Sequence, residues 1–457
     1  MADFTNRLTS HELSLRSGVS ADMLREWRAL GLVGREEDET FGPEDVPRVR
    51  FIRFLLRRGV SIDAVAHAER TEGLMGLHVG GAFPTAIGPT YSPAEATRRL
   101  GLDAGTLARF VTAVGIDEPD GLLSEDDMRA LGALKVLLES GFPEDALFQL
   151  VRVYAEALGR VAEAEVRLFH FYVHERLRAE GLSGDHLNAV TDAARERMVP
   201  LAEPSILYFH RRGFARAAQE DAILHFQERA GSLPPGQLRL AIAFVDLSSF
   251  TPLAEAMGDQ AATEVLARFS QLVHDAAARG DGRVVKQLGD GFMLVFPDAR
   301  SAVACMLAIQ RRALAEPQFP AVRAGVHCGQ VLYRAGEYLG ANVTVAARLA
   351  DVATRHQVLV TAAVKEEAVV LTDAEFVPLG RRGLKGMAEE VALFGVRTRA
   401  DAWEGNEPPR RRVDPVCGIE VQPERAVARL IFENQERLFC CHLCLQRFVE
   451  APERYRV

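Results

Sequence analysis

No apolar run in the sequence approaches the roughly 18 residues that a membrane span requires, and the N-terminus has no signal-peptide apolar core. These two absences predict a cytoplasmic protein without a membrane span. Positive charge is scarce: 54 Lys and Arg face 63 Asp and Glu, a formal net charge of −9. That balance argues against a surface given over mainly to nucleic acid, although one small domain can still be basic. Cysteine is absent before Cys305, and four of the six cysteines, Cys417, Cys440, Cys441 and Cys444, crowd near the C-terminal end. Such crowding is metal-site usage rather than the framework of a secreted disulfide protein. Cys305 and Cys328 sit in apolar segments and read most simply as core. What is present is ordinary: 48% apolar and 26% charged residues over 457 positions, enough for about three domains of ~150 residues with ample core.

Two aspartates organise residues 240–291. Asp246 closes the apolar run Leu240-Ala-Ile-Ala-Phe-Val-Asp246, and Thr251-Pro252 follow. This spacing predicts a buried strand, a turn and a helix start, with Thr251 as cap and Pro252 at the first helical position. Asp290 lies between Gly289 and Gly291, where two apolar strands read as a hairpin. If those strands are neighbours, both carboxylates reach one end of one sheet. Paired acids beside a helix N-terminus suit divalent cations and phosphate together. Taken singly, each Asp reads as a cap or a turn residue; with Lys286 ahead of Gly289-Asp290 the pattern becomes specific.

These residues resemble the class III nucleotide cyclases, whose signature is an Asp-x-x-x-Phe-Thr strand end plus a Lys-x-x-Gly-Asp hairpin. The resemblance continues through Ala346-Ala-Arg-Leu349 and Leu384-Lys-Gly386. It implies an α+β, ferredoxin-like catalytic domain over residues 236–398. The reaction implied is attack of a nucleoside triphosphate's 3′-hydroxyl on its own α-phosphate, with release of pyrophosphate. Asp246, the Leu247 backbone and Asp290 would hold two Mg²⁺ or Mn²⁺ ions per active site, while the chain through Phe250 and Thr251 cradles the triphosphate. Lys286 can only donate, which suits N1 of adenine, and Glu337, in Glu-Tyr-Leu-Gly340, only accepts when ionised. Glu337 stands where the family carries the shorter Asp, and ATP is the expected substrate. Arg348 would meet charge on the α-phosphate, and Lys385 the terminal phosphates. Thr344 is a departure, because the family places Asn four residues before the Arg. Asn342 is out of register by two. In this family the metal ligands of one chain face Lys286, Glu337, Thr344 and Arg348 of another, so the resemblance implies a homodimer.

Ahead of this domain, residues 1–75 form one expected unit, in which residues 8–70 carry helical periodicity broken by turns and by a polar, hairpin-like stretch from Gly31 to Gly42. Leu24-Arg-Glu-Trp27, Leu30-Gly-Leu32 and Pro43-Glu-Asp45 resemble the MerR type of winged helix-turn-helix regulators. The resemblance makes Arg25, Arg28 and Arg35 the residues that would meet DNA. Four acids, Glu36-Glu-Asp-Glu39, stand where DNA would pass, so a scaffold is expected instead. Residues 91–230 open by repeating this unit: Tyr91-Ser-Pro-Ala-Glu95 answers Leu8-Thr-Ser-His-Glu12, and Ser124-Glu-Asp126 answers Pro43-Glu-Asp45. Residues 71–90 read as a linker. From Phe148 to about Ala179 apolar residues recur at helical spacing, a helix of about 45 Å that either bridges two chains or packs in its own domain. His170 and His174, four apart on one face, read as surface or packed histidines. A hinge is expected over residues 231–236.

After a polar linker, Asp414-Pro-Val-Cys-Gly418 and Phe439-Cys-Cys-His-Leu-Cys444 fill residues 412–457. This tail resembles a YHS domain, a small metal-associated module. Cys417, Cys440 and Cys444 match its thiol pattern, and His442 is an additional donor. Such a set suits Zn²⁺ or Cu⁺; buried or redox-active thiols without metal are the competing reading. The expected fold is multidomain, with an all-α winged-helix-like N-terminal half, the cyclase domain and the small Cys-containing tail. The expected function is that of an adenylate cyclase controlled by its helical half. The alternative is a weakly catalytic nucleotide-binding homologue acting in signalling or as a DNA-binding regulator.

Overall fold

The computed structural model describes residues 7–35, 37–42, 44–73, 91–116, 122–230, 238–387, 389–399 and 412–455. Pro43, Glu36 of the acidic stretch, most of the expected linker at 71–90, the hinge at 231–236 and the polar linker before the tail lie outside them. The chain forms two compact units, Met1–Glu220 and Asp221–Val457. None of the described helices is long and apolar enough to cross a membrane.

The first unit is helical and built on the repeat. In the first copy are α1 (Ser10–Ser17), α2 (Ala21–Ala29), α3 (Asp45–Arg57) and α4 (Ile62–Glu72). The second copy supplies α5 (Pro93–Leu100), α6 (Ala104–Val114) and α7 (Glu125–Glu139). Thr9 and Ser92 open the two copies with the same reciprocal cap, each bonded to the glutamate three residues on. A single antiparallel bridge ties each copy's entry to the residue ahead of its third helix, Leu8 to Phe41 and Tyr91 to Leu123. The hairpin-like wing is reduced to that bridge among the described residues. Buried Asp45 holds the stretch instead, accepting from the amides of Gly34 and Gly42 at 2.8 Å each.

Of the three arginines expected to face DNA, Arg28 and Arg25 are engaged locally, whereas Arg35 is exposed. Arg28 lies 3.8 Å above the Phe41 ring, and Arg25 pairs with Asp22. In the second copy Arg109 covers Phe148 and bridges Glu144 and Asp145. A long helical run follows: α8 (Glu144–Phe169), a π-helical turn (His170–His174) and α9 (Glu175–Ala179), then α10 (Gly184–Arg229). Of the apolar positions that recur along α8, Leu150, Tyr154, Leu158, Val161 and Leu168 are exposed.

The second unit is a mixed sheet with helices packed on it. Its elements are β1 (Leu238–Leu247), α11 (Phe250–Met257), α12 (Asp259–Arg279), β2 (Arg283–Leu288), β3 (Gly291–Phe296), α13 (Ala299–Ala315), β4 (Val322–Arg334), β5 (Glu337–Leu339), α14 (Ala341–Val352), β6 (Val358–Thr361), α15 (Ala362–Ala368), β7 (Ala374–Gly383) and β8 (Glu390–Thr398). Strand order is β2-β3-β1-β4-β6-β8-β7, with β5 paired to β4 alone. Every pairing is antiparallel except β4 with β6, where a crossover helix intervenes. β3 is buried at all six positions, as a continuous apolar run demands.

The tail adds β9 (Arg412–Val413), β10 (Glu420–Val421), β11 (Ala428–Phe432), β12 (Gln435–Phe439) and α16 (His442–Glu450). It shares the core of the sheet: Val416, Ile419, Leu438, Phe439 and Phe448 belong to the apolar cluster that contains Leu253, Phe269 and Phe292.

Candidate active site and thiol cluster

Strand pairing brings the two aspartates together. β1 and β3 run antiparallel with Asp246 opposite Gly291, so Asp290 stands next to it at the same sheet edge. Gly291 permits the approach, because a Cβ there would come 3.2 Å from the Val245 carbonyl oxygen and 3.5 Å from Asp246 Oδ1. Burial, then the facing Asp246 carboxylate, pushes the Asp290 carboxyl up to about 6, with Arg323 opposing. Asp246 Oδ1 is buried and accepts no hydrogen bond, while Oδ2 is held by Arg323 at 2.6 and 3.2 Å. An orphaned buried carboxylate oxygen beside a second, half-buried acid fits a divalent cation. Arg323 was missed in the sequence. It sits directly across from Asp246 in the β1–β4 register, and only pairing reveals it.

The helix after β1 begins earlier than its Thr-Pro signal suggests. Ser249, at φ +67°, is the N-cap of α11, so Thr251 lies inside the first turn and is not the cap. Leu247 ends β1 with its side chain buried; Phe250 and exposed Thr251 open α11.

Lys286 on β2 and Glu337 on β5, fifty-one residues apart, meet as an ion pair with Nζ and Oε2 at 2.5 Å. Thr344 and Arg348 share one face of α14, four residues apart. Arg348 donates from Nη1 to Asp351 at 2.7 Å, and its Nε is buried without a partner. Asn342 is spent elsewhere: its Oδ1 accepts from His327 Nε2 at 2.9 Å and its Nδ2 donates to the Gln330 carbonyl at 2.7 Å. Exposed Lys385 occupies the turn between β7 and β8.

In the tail, three sulfurs converge. Cys417 and Cys440 Sγ are 3.4 Å apart, and Cys440 and Cys444 Sγ 3.7 Å. Disulfide sulfurs lie at ~2.05 Å, whereas two thiolates sharing a tetrahedral Zn²⁺ at ~2.3 Å lie about 3.8 Å apart. The thiols are therefore free and spaced for a metal. The carboxylate of buried Asp414 joins them, with all four donors within 4.8 Å of one another. Asp414 also ties the two thiol loops together, accepting from the amides of Val416 at 2.9 Å and Cys440 at 2.8 Å. Hydrogen bonds from Cys440 and Cys444 lower the Cys417 thiol to about 3, and those two thiols are raised in turn. Exposed His442, expected as an additional donor, begins α16 and is not among the converging groups. Cys440 lies just ahead of α16, whose N-cap is Cys441, and Cys444 lies buried in its first turn, while His442 there is turned to solvent.

Three family models match the chain: an adenylate cyclase regulatory domain over residues 42–208, a MerR HTH family regulatory protein over 8–72, and an adenylate and guanylate cyclase catalytic domain over 237–396. A pH-sensitive adenylate cyclase of Mycobacterium tuberculosis is 28% identical over 366 residues, covering 79% of this chain and 90% of the relative. An uncharacterized protein of Mycobacterium bovis is 30% identical over 371 residues, covering 79% of this chain and 93% of the relative. Among solved structures, the adenylyl cyclase CyaB from P. aeruginosa is 21% identical, with 35% of this chain and 94% of that chain covered and a TM-score of 0.32. With paired aspartates on adjacent strands and relatives that align along most of both chains, this protein belongs to the class III adenylate cyclase family, in the group with a helical regulatory domain ahead of the catalytic one.

Proposed function

We propose that the chain converts ATP to 3′,5′-cyclic AMP and pyrophosphate at composite sites formed by a homodimer. The observation that carries this reading is Asp246 beside Asp290, with one buried carboxylate oxygen lacking any partner. Asp246, the Leu247 carbonyl and Asp290 would hold two Mg²⁺ or Mn²⁺ ions, which supply Lewis acidity at the ribose hydroxyl and charge neutralisation at the phosphates. The residues of the chain position the substrate. Lys286 donates to adenine N1 and Glu337 accepts from the exocyclic amine, the two groups holding each other's charge until the base takes both. Backbone from Leu247 through Phe250 and Thr251 cradles phosphate at the start of α11, Lys385 meets the terminal phosphates and Arg348 the α-phosphate. Thr344 orients the ribose with one hydroxyl.

Two features support a second copy. Around Lys286 and Glu337, the residues Leu288, Leu332, Tyr333 and Leu339 are exposed in the single chain, as is the apolar stripe of α8. The helical half then acts by shifting the two catalytic units against each other. Arg25, Arg28 and Arg109 are engaged within their own repeats, which supports a scaffold over a DNA reader. The tail cluster, by spacing and donor type, suits Zn²⁺ or Cu⁺ held by Cys417, Cys440 and Cys444, with Asp414 in place of His442.

The test is turnover of ATP with Mn²⁺ by the full chain. Cyclic AMP formation that Asp290→Ala abolishes supports the enzyme. Nucleotide binding without any product in the wild type favours the weakly catalytic homologue, for which Thr344 and Glu337 are the specific motives.

A further inference from the structure

The thiol cluster and the phosphate-cradling loop are joined by one side chain. Cys417 is followed by Gly418, whose carbonyl oxygen accepts from Arg355 Nη1 at 2.7 Å; Arg355 Nη2 donates to Ser249 Oγ at 2.6 Å. Ser249 lies three residues beyond Asp246 and caps α11 in a left-handed conformation, φ +67°. A non-glycine residue held there carries strain that its surroundings must maintain. Arg355 itself sits in the turn between α14, which bears Thr344 and Arg348, and β6. The contact is tight: a Cβ on Gly418 would come 2.7 Å from Ser249 Cβ and 3.1 Å from Arg355 Nη2. A second link runs beside it, from His356 Nε2 to Glu420 Oε2 at 3.3 Å.

The Cys417–Gly418 peptide is in turn fixed by the donor loop. The Gly418 amide donates to the Asp414 carbonyl at 2.9 Å and the Asp414 amide to the Ile419 carbonyl at 2.8 Å. Whatever fastens Cys417 to Cys440 and Cys444 therefore fastens the acceptor that Arg355 needs. With that acceptor fixed, Arg355 is fixed between it and Ser249, and the loop after Asp246 is preorganised for phosphate. Preorganisation of a binding loop raises affinity by lowering the ordering cost on binding.

We propose that the Asp414–Cys417–Cys440–Cys444 cluster is a regulatory soft-metal site, and that its loading tightens nucleotide binding at the catalytic loop through the Gly418–Arg355–Ser249 bridge. The proposal rests on the tail-metal reading given above and adds the coupling to it. Coupling of this kind is reciprocal, so bound nucleotide must tighten metal binding by the same factor.

The test uses the full chain with reduced thiols, freed of metal, in saturating Mg²⁺. Affinity for an ATP analogue lacking the 3′-hydroxyl is measured without and with one equivalent of Zn²⁺, and Zn²⁺ affinity is measured by chelator competition without and with the analogue. Loading tightens the analogue at least about fivefold, the lower end of ordinary allosteric coupling, and the analogue tightens Zn²⁺ equally. In Arg355→Ala one Zn²⁺ still binds, and the ratio falls to one. Ser249→Ala, which removes only the hydroxyl, lowers the ratio as well and serves if the arginine variant does not fold. Wild-type protein that takes up one Zn²⁺ with unchanged analogue affinity, or Arg355→Ala that keeps the ratio, overturns the coupling. Zn²⁺ uptake that survives Cys440→Ser with Cys444→Ser overturns the tail-metal reading itself.

Discussion

Thr344 stands on the exposed face of α14 one helical turn before Arg348; in the role proposed for it, it would offer the ribose a single short donor. Loss of an oriented donor at a transition state typically reduces rate by about 10²–10³. Thr344→Asn is expected to raise kcat by about tenfold or more with KM for ATP little changed, since the added contact belongs to the transition state; a change confined to KM counts against that role. Asp290 makes a second prediction. Burial and the Asp246 carboxylate raise its carboxyl from 3.8 to about 6. In that window the metal-free folded chain binds more protons than the unfolded one, so metal-free stability falls as pH rises from about 4 to about 6. A bound cation needs the ionised acid, so Mn²⁺ affinity falls as pH drops through 6. Mn²⁺ titrations between pH 5 and 8 check this, and Asp246→Asn should move the inflection downward. Both aspartates were legible in the sequence because their motif is local. Asp414 was not: Asp-Pro-Val-Cys reads as a turn, and its second task, holding the Cys440 amide, spans 26 residues. Arg355 carried no sequence signal, because its partners lie 63 and 106 residues away.

The repeated helical unit was legible because its markers are caps, and caps act within one turn. Thr9 with Glu12 and Ser92 with Glu95 form the same reciprocal pair. The wing was misread as a hairpin. Its polar composition permits one, but Asp45 bonds two amides of the stretch, and a single bridge is left among the described residues. The start of α11 shows a similar override, with tertiary contacts at Ser249 outweighing a Thr-Pro start signal. For α8 the sequence left two readings open, and exposure in the single chain supports the one in which it bridges two chains. Leu158 and Val161 are 41% and 40% exposed, so they add little to the stability of their own unit. Leu158→Glu combined with Val161→Glu is expected to shift the full chain from dimer to monomer in sedimentation experiments, with the unfolding midpoint nearly unchanged. A lowered midpoint with the dimer intact indicates that this face packs within one chain.

The tail was expected as a separate module because a polar linker precedes it, and linkers ordinarily mark the limits of independent cores. Composition cannot report what a module packs against. Here Phe439 and Phe448 join the cluster built around Phe269 and Phe292, α16 reaches α11 through an Arg447 bond to the Glu255 carbonyl at 2.6 Å, and Gln318 donates to the Cys440 carbonyl at 3.2 Å. One core implies one cooperative transition. A chain ending at residue 399 leaves the catalytic side of that core open to water, and each large apolar side chain uncovered forfeits about 1.5–3 kcal/mol. In a unit of this size 1 kcal/mol shifts the midpoint by about 2–4 °C. Truncation after Arg399 is therefore expected to lower the catalytic unit's Tm by more than about 10 °C and to expose dye-binding surface. If the tail is an independent passenger, the intact chain melts in a separate tail transition and the truncated unit keeps its Tm. The distinction bears on regulation, since a tail that melts with the catalytic core can pass the state of its thiols to the nucleotide loop, and a passenger cannot.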